Sequence, residues 1–454
     1  MKRLGKIFVC LLTFGLSSQS DAVTLRITCR AKGMELELLR EYIDEWIKIT
    51  DNQHKVEIIT LPHASNECYA LYQQWFSAGS FDVDILQMDI VFVGAFADHL
   101  ASLDQYISEN EVGVDDIFDS VKNNMYNNGH LVALPIYTDV EVMFYRSDLL
   151  KKYNKPEPKT WQELYKTALY IQNEERKDPA KKVKFFGMVF QAKAFEMLTC
   201  NFVGLTDSFG GGIVKDGKIV INSDKNVEAV SFLIDCMKNI SSRSVLNYSE
   251  EDCRGMFQCG NAVFMPNWPY VWALANNESS EVAGKIAVMP LPPSANGGKQ
   301  SGVMGGWFFT VSKYSKHGRF AADLAKYLTS KRLHKLRAKF GYAPVYKSLY
   351  EDDFVVQYNP YFPKLCLALE GAASRPSGSF KKGYQRASTE IFNSINNILS
   401  ESVGQNFSQK DTKKYLGRLK YKLDHILRLQ NKPTKKKIGF MKKIRKFFSD
   451  LFAN

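Results

Sequence analysis

The chain has no C-x-x-C pair, only seven histidines, and no uninterrupted apolar run of the ~18 residues that a membrane-spanning helix needs. Without C-x-x-C spacing there is no zinc ribbon and no thioredoxin-like redox motif. No two histidines stand at ligand spacing, so the residues hold no expected metal site. The body also lacks an excess of either charge. The formal charge is +12, yet residues 410–454 carry 15 Lys/Arg against 3 acids, while residues 21–409 carry 42 against 45. The body therefore offers no phosphate-neutralising surface, and nucleic acid is not an expected partner.

What is present is ample apolar material: 454 residues, 45% of them hydrophobic, enough for two to three domains with real cores. The first residues stand apart. Lys2, Arg3 and Lys6 precede an apolar run over 7–16, and Ser17, Ser18 and Ser20 lead to Asp21 and Ala22. This is the pattern of a cleavable secretory signal peptide over residues 1–22, with a mature start at Asp21 or Val23. Cys10 follows Val9 rather than a small residue, so it is not read as a lipid attachment site. Seven cysteines remain, an odd number. Cys253 and Cys259 are close enough for a local disulfide in an oxidising compartment, and the other reading is buried thiols acting as small hydrophobes.

From residue 23 the pattern alternates. An extended stretch at 24–29, an amphipathic helix at 34–49, a strand at 56–61, a helix at 67–78 and a strand at 83–88 predict a mainly parallel α/β sheet. The same grammar resumes after residue 140, with Thr160 and Glu163 forming a capping box and a strand near 185–190. Two lobes of similar architecture result. Between them, residues 129–153 read as a crossing. Pro135 predicts that the apolar strand at 131–136 ends near Tyr137, Thr138 and Asp139, and Ser147 stands where an N-cap would open the next helix. The triplet is either a surface turn in an ordinary αβ unit or one wall of a polar cleft.

Other candidate residues lie at element ends, where open α/β sheets bind ligands. In Asn267-Trp268-Pro269-Tyr270-Val271-Trp272 the aromatic faces suit the C–H faces of sugar rings, and neighbouring carboxylates accept pairs of hydroxyl hydrogens. In Gly305-Gly306-Trp307 two glycines let backbone approach a ligand beside an indole.

Five runs in series carry a family resemblance: DVDILQMDIVFVGAFADHLASL from Asp82, GHLVALPIYTDVEVMFYRSDLL from Gly129, PKTWQEL from Pro158, NWPYVW from Asn267 and VMGGWFF from Val303. Together they resemble the periplasmic solute-binding proteins of ABC sugar transporters (extracellular solute-binding family 1), above all the trehalose, maltose and sucrose type of α-glucoside binders. The resemblance spans residues 23–400 in matching order.

It implies the type II periplasmic-binding-protein fold, two α/β lobes joined by hinge crossovers, with residues 23–137 and 285–341 in lobe 1 and 138–284 and 342–430 in lobe 2. It also implies a monomeric periplasmic receptor, without cofactor or metal and not an enzyme, that traps a sugar by hinge closure and delivers it to membrane permease subunits. Carried over motif by motif, Asp89 resembles the first-lobe carboxylate, and Tyr137 with Asp139 the hinge-side pair. Trp268 and Tyr270 resemble the stacking platform, Gly305, Gly306 and Trp307 the contacts opposite it, and Arg375 a late forked donor to hydroxyls. Glu35 matches an acid in the first turn of the first helix. The loop from His63 lacks the arginine expected there, leaving Ser65 and Asn66 as hydroxyl partners. The sugar thus stays open between an α-glucoside, another glycoside and a smaller polyol or other small polar solute.

The rival among enzymes is an exported glycoside hydrolase using Asp89 and Asp139 as its carboxyl pair. Outside the resemblance falls the tail, residues 431–454. Phe440, Met441, Ile444, Phe447, Phe448 and Leu451 recur at helical spacing opposite Lys442, Lys443, Arg445 and Lys446. A basic amphipathic helix of this kind lies on anionic membranes; the alternatives are a terminal helix docked on lobe 2 or a disordered tail.

Overall fold

The computed structural model describes residues 22–30, 34–50, 54–404 and 407–430. The expected signal peptide, apart from Ala22, and the basic tail lie outside them. Thr24–Arg30 (β1) becomes fully buried toward its C-terminal end, as a strand covered on both faces must be. Glu35–Ile49 (α1) places Leu38, Leu39, Tyr42, Ile43 and Trp46 at three- and four-residue spacing on its buried face. Lys55–Leu61 (β2), Ser65–Ser77 (α2), Ile85–Asp89 (β3) and Ile90–Phe96 (α3) follow. Helical crossovers make β1, β2 and β3 parallel.

The chain then runs through Ala133–Val140 (β4) and Val142–Arg146 (β5), and on to Trp161–Glu175 (α4), Phe186–Met188 (β6) and Glu196–Ser208 (α5). Thr160 caps α4 as expected, accepting from the Glu163 amide. After Glu250–Gln258 (α6) come Ala262–Asn267 (β7), Ile286–Pro290 (β8) and Met304–Val311 (β9), and at the end Tyr384–Ser402 (α7) packs against Gln409–Gln430 (α8). Beside two short two-stranded ribbons, the two main sheets run in the orders β2-β1-β3-β9-β4 and β8-β5-β7-β6. No described helix is long and apolar enough to cross a membrane.

Both sheets are mixed rather than mainly parallel. β9 runs antiparallel to β3 and β4, and β5 runs antiparallel to β7 and β8. These strands enter a sheet directly from the other lobe, without the helical crossover that enforces parallel pairing. The strand with Pro135 does not end at the Tyr137 triplet. It continues as β4 to Val140, because β4 is an edge strand, where a missing N–H is tolerated, and a bulge opposite Trp307 and Phe308 takes up the irregularity. Ser147 is the first residue of its helix rather than the cap, and its Oγ donates to the Lys285 carbonyl at 3.1 Å.

The crossings also move. Thr138, Asp139 and Val140 pair with β9 in the first sheet, and β8 pairs with β5 in the second. The chain therefore leaves the first sheet at Glu141 rather than before Thr138, and returns after Pro290 rather than before residue 285. Ala343 bridges Thr138 and Tyr346 bridges Ile117, so the stretch just past residue 342 still lies with the first lobe. All seven described cysteines are free thiols. Cys253 is buried under α6 while Cys259, its C-cap, is exposed, and no local bridge joins them.

Glu141, the single residue between β4 and β5, is 1% exposed, and its Oε2 has no hydrogen-bond partner among the described residues. Burial pushes its carboxyl from 4.5 up to about 8, opposed only by the Val303 amide. The folded state thus binds this proton more tightly than the unfolded chain, so Glu141 costs stability increasingly as pH rises from about 4.5 to about 8 and constantly above. Unfolding free energies from urea titrations should show Glu141→Gln gaining on the parent protein across that window and levelling off beyond it.

Candidate ligand-binding site

Strand register assembles the site. In β9, Trp307 lies between Asp89 of β3 and Tyr137 of β4, and Gly305 lies beside Asp139. One row of a sheet thus holds a carboxylate, an indole and a phenol. A Cβ on Gly305 would stand 3.0 Å from the Trp268 ring and 3.2 Å from Asp139 Cβ, so the glycine is what lets the second-lobe indole lie against this strand. Gly306, at φ +141°, adopts backbone that other residues avoid.

The row opens into a cleft of about 570 Å³, counted to its mouth, lined by residues of both lobes. Glu35, Ser65, Asp89, Tyr137, Asp139 and Trp268 line it, and so do Tyr270, Gly305, Gly306, Trp307 and Arg375. Asn66 does not. Consecutive helical residues point about 100° apart, so α2 turns Asn66 away when Ser65 faces the cleft.

Two polar clusters occupy the floor. Arg375 forks onto Asp89, Nη2 to Oδ1 at 2.7 Å and Nη1 to Oδ2 at 3.2 Å, and Nη1 also donates to Glu196 Oε1 at 3.0 Å. Ser65 Oγ donates to Asp89 Oδ2 at 2.7 Å, and Asp89 caps α3 through the Val91 amide. Ser388 Oγ donates to Glu196 Oε2 at 2.6 Å, and Tyr384 donates to Oε1. Burial opposes the charge on Arg375, but Asp89 holds it protonated; burial also raises the Glu196 carboxyl, against the pull of Arg375.

In the second cluster Arg30 Nη2 donates to Glu35 Oε1 at 2.6 Å and to the Tyr137 hydroxyl at 3.0 Å. Tyr137 donates to Glu35 Oε1 at 2.8 Å and Gln87 Nε2 to Glu35 Oε2 at 2.7 Å. The Arg30 guanidinium lies 3.6 Å over the Trp307 ring centroid. On the wall, Tyr270 donates to Glu251 Oε1 at 2.5 Å. Trp272 faces elsewhere, donating to the Tyr358 carbonyl.

Sequence reasoning did not find Arg30, Glu196, Glu250 or Tyr342, which also line the cleft. Arg30 had a usable signal, its place at the carboxyl end of a strand. Glu196 had none, since only the docking of α5 against α7 carries it to Arg375.

Two lobes around a cleft of aromatic faces and paired polar groups define a two-lobed solute-binding protein. The chain belongs to the family of bacterial extracellular solute-binding proteins, whose family model matches residues 34–334. It is 36% identical to a probable ABC transporter-binding protein of Deinococcus radiodurans over 92% of this chain and 99% of that one. The maltose-bound MalE3 of T. maritima superposes with a TM-score of 0.80 at 31% identity, covering 88% of this chain and 100% of that one. An arabinooligosaccharide-binding protein of Bacillus subtilis is 26% identical over 72% of this chain and 75% of its own length. The chain is thus a binding protein of the ABC-transporter type rather than an enzyme.

The Arg375 cluster has a measurable consequence. Arg375→Met leaves Asp89 and Glu196 buried without their shared cation and should cost about 3–5 kcal/mol of unfolding free energy. Adding Glu196→Gln should recover part of the loss in the same urea titration.

Proposed function

We propose that this protein is a monomeric periplasmic receptor that captures a neutral sugar, an α-glucoside disaccharide, between its lobes and presents the closed complex to an ABC permease. The observation that carries the reading is the strand row of Asp89, Trp307 and Tyr137 facing Trp268 across Gly305. Sugar rings offer C–H faces to indoles and hydroxyls to carboxylates, and this cleft offers both. The likeness to a maltose-bound protein above 30% identity supports the disaccharide. Each lobe supplies half the contacts, so bound sugar favours closure by its differential affinity for the closed form.

Export by the N-terminal signal peptide places the receptor beside its permease. A ligand that binds only the folded state raises stability with concentration, so maltose or trehalose should raise the unfolding midpoint of the mature protein in a thermal-shift screen. If no mono-, di- or arabinooligosaccharide and no polyol moved it, the reading would fail.

The basic tail is proposed to rest on the membrane surface next to the permease. Its apolar residues and lysines follow the amphipathic pattern described above. In co-sedimentation with anionic liposomes, the full chain should pellet and a chain ending at Gln430 should stay in solution. Equal binding by both would sink the idea.

A further inference from the structure

Among the described residues three arginines are buried, Arg30, Arg337 and Arg375. Two of them meet carboxylates: Arg30 pairs with Glu35, and Arg375 with Asp89 and Glu196. Arg337, in the helix Lys331–Ala338, is 5% exposed and forms an ion pair with no described residue. Its Nη1 is a buried donor without a hydrogen-bond partner among the described residues.

The groups around it do not supply the missing charge. The Cys29 thiol and the Tyr42, Tyr137 and Tyr342 phenols act on it electrostatically, and burial pushes each of them up, so all four stay neutral. His334, one turn earlier on the helix, is neutral as well: burial and then Arg337 push it down to about 3, while its Nε2 donates to the Pro135 carbonyl at 3.0 Å. The Tyr42 ring, its centroid 5.1 Å from the guanidinium carbon, offers a π face, which returns less than a full counter-charge does.

Arg337 lines a pocket of about 310 Å³, counted with its mouth, that adjoins the cleft and shares Glu35, Tyr137 and Tyr342 with it. Leu38, Leu39, Ile136 and Phe309 form the apolar side of this pocket. Glu35 belongs to it too, but its oxygens already accept from Arg30, Tyr137 and Gln87.

We propose that this pocket is a binding site for one small monovalent anion of the halide type, held by Arg337 behind the cleft wall. A buried cation without a counter-charge is costly, so a guest of opposite sign is drawn in. With Glu35 balanced by Arg30, the single charge of Arg337 calls for a single negative charge. Sulfate or phosphate carries more than one, and would leave several oxygens against apolar carbon. A halide accepts from whichever N–H faces it, needs no forked geometry, and leaves no second polar atom against Leu38 or Phe309. The site does not depend on which solute the cleft takes.

Urea unfolding of the mature protein in mixtures of sodium gluconate and sodium chloride at fixed ionic strength tests this. The midpoint should be higher in chloride and should climb with the logarithm of chloride concentration once the site fills, as for a single ligand bound only by the folded state. Arg337→Met removes the charge and should erase the chloride dependence. In crystals of the parent protein soaked in bromide, an anomalous peak should lie in contact with Arg337. Equal midpoints for the parent protein across the mixtures would overturn the proposal, as would a chloride dependence that survives Arg337→Met or a water in place of bromide beside Arg337. If Arg337→Met does not fold, the salt series and the bromide crystal decide the matter, since both use the unaltered chain.

Discussion

The molecule turns on the insertion of β9 between β3 and β4. A strand that has just left the second lobe runs antiparallel through the first sheet, hydrogen-bonded on both sides, with Trp307 opposite Asp89 on one flank and Tyr137 on the other. Because side chains alternate strictly along a strand, a slip of one residue would turn Trp307 away from the cleft and bring a neighbour in its place. β4 and β9 are the two strands by which the chain leaves and re-enters the first sheet, so the backbone that joins the lobes is also the backbone that builds the binding floor.

Charge is managed by pairing within this frame. Two buried arginines serve a cleft of carboxylates, each held by groups from other elements: Arg30 with nearby Glu35 and distant Tyr137, Arg375 with distant Asp89 and Glu196. A buried charge without a partner costs several kcal/mol, so these pairs are conditions for the cleft to stay polar while shielded from water. They also argue against hydrolysis. The Asp89 oxygens are occupied by Arg375, Ser65 and the Val91 amide, which suits a fixed acceptor better than a nucleophile. Glu141 is handled differently. It sits at the lobe junction with no ion-pair partner among the described residues, and burial resolves the cost by favouring its protonated form.

Much was legible before folding. The βα alternation and the Thr160 cap follow from local patterns, and residues such as Asp89, Tyr137, Trp268 and Trp307, marked by runs whose order matches a family, line the cleft. The errors share a cause. Pro135 signals a stop in a central strand, whereas the edge position that tolerates it is a tertiary fact. Alternation of strand and helix predicts mainly parallel sheets, whereas strands arriving from the other lobe pair antiparallel. Asn66 adjoins Ser65 in sequence, yet a helix turns neighbours to different sides.

By itself, then, the sequence determined the layered α/β class, the aromatic and acidic residues at element ends, and the family, since each depends on periodicity and motif order over short spans. Only the tertiary structure decided which strands are edges, where the chain crosses between lobes, and that Glu196 joins the cleft. Those depend on pairings between segments tens to hundreds of residues apart, such as Arg375 with Asp89 and Glu196, which no local pattern encodes.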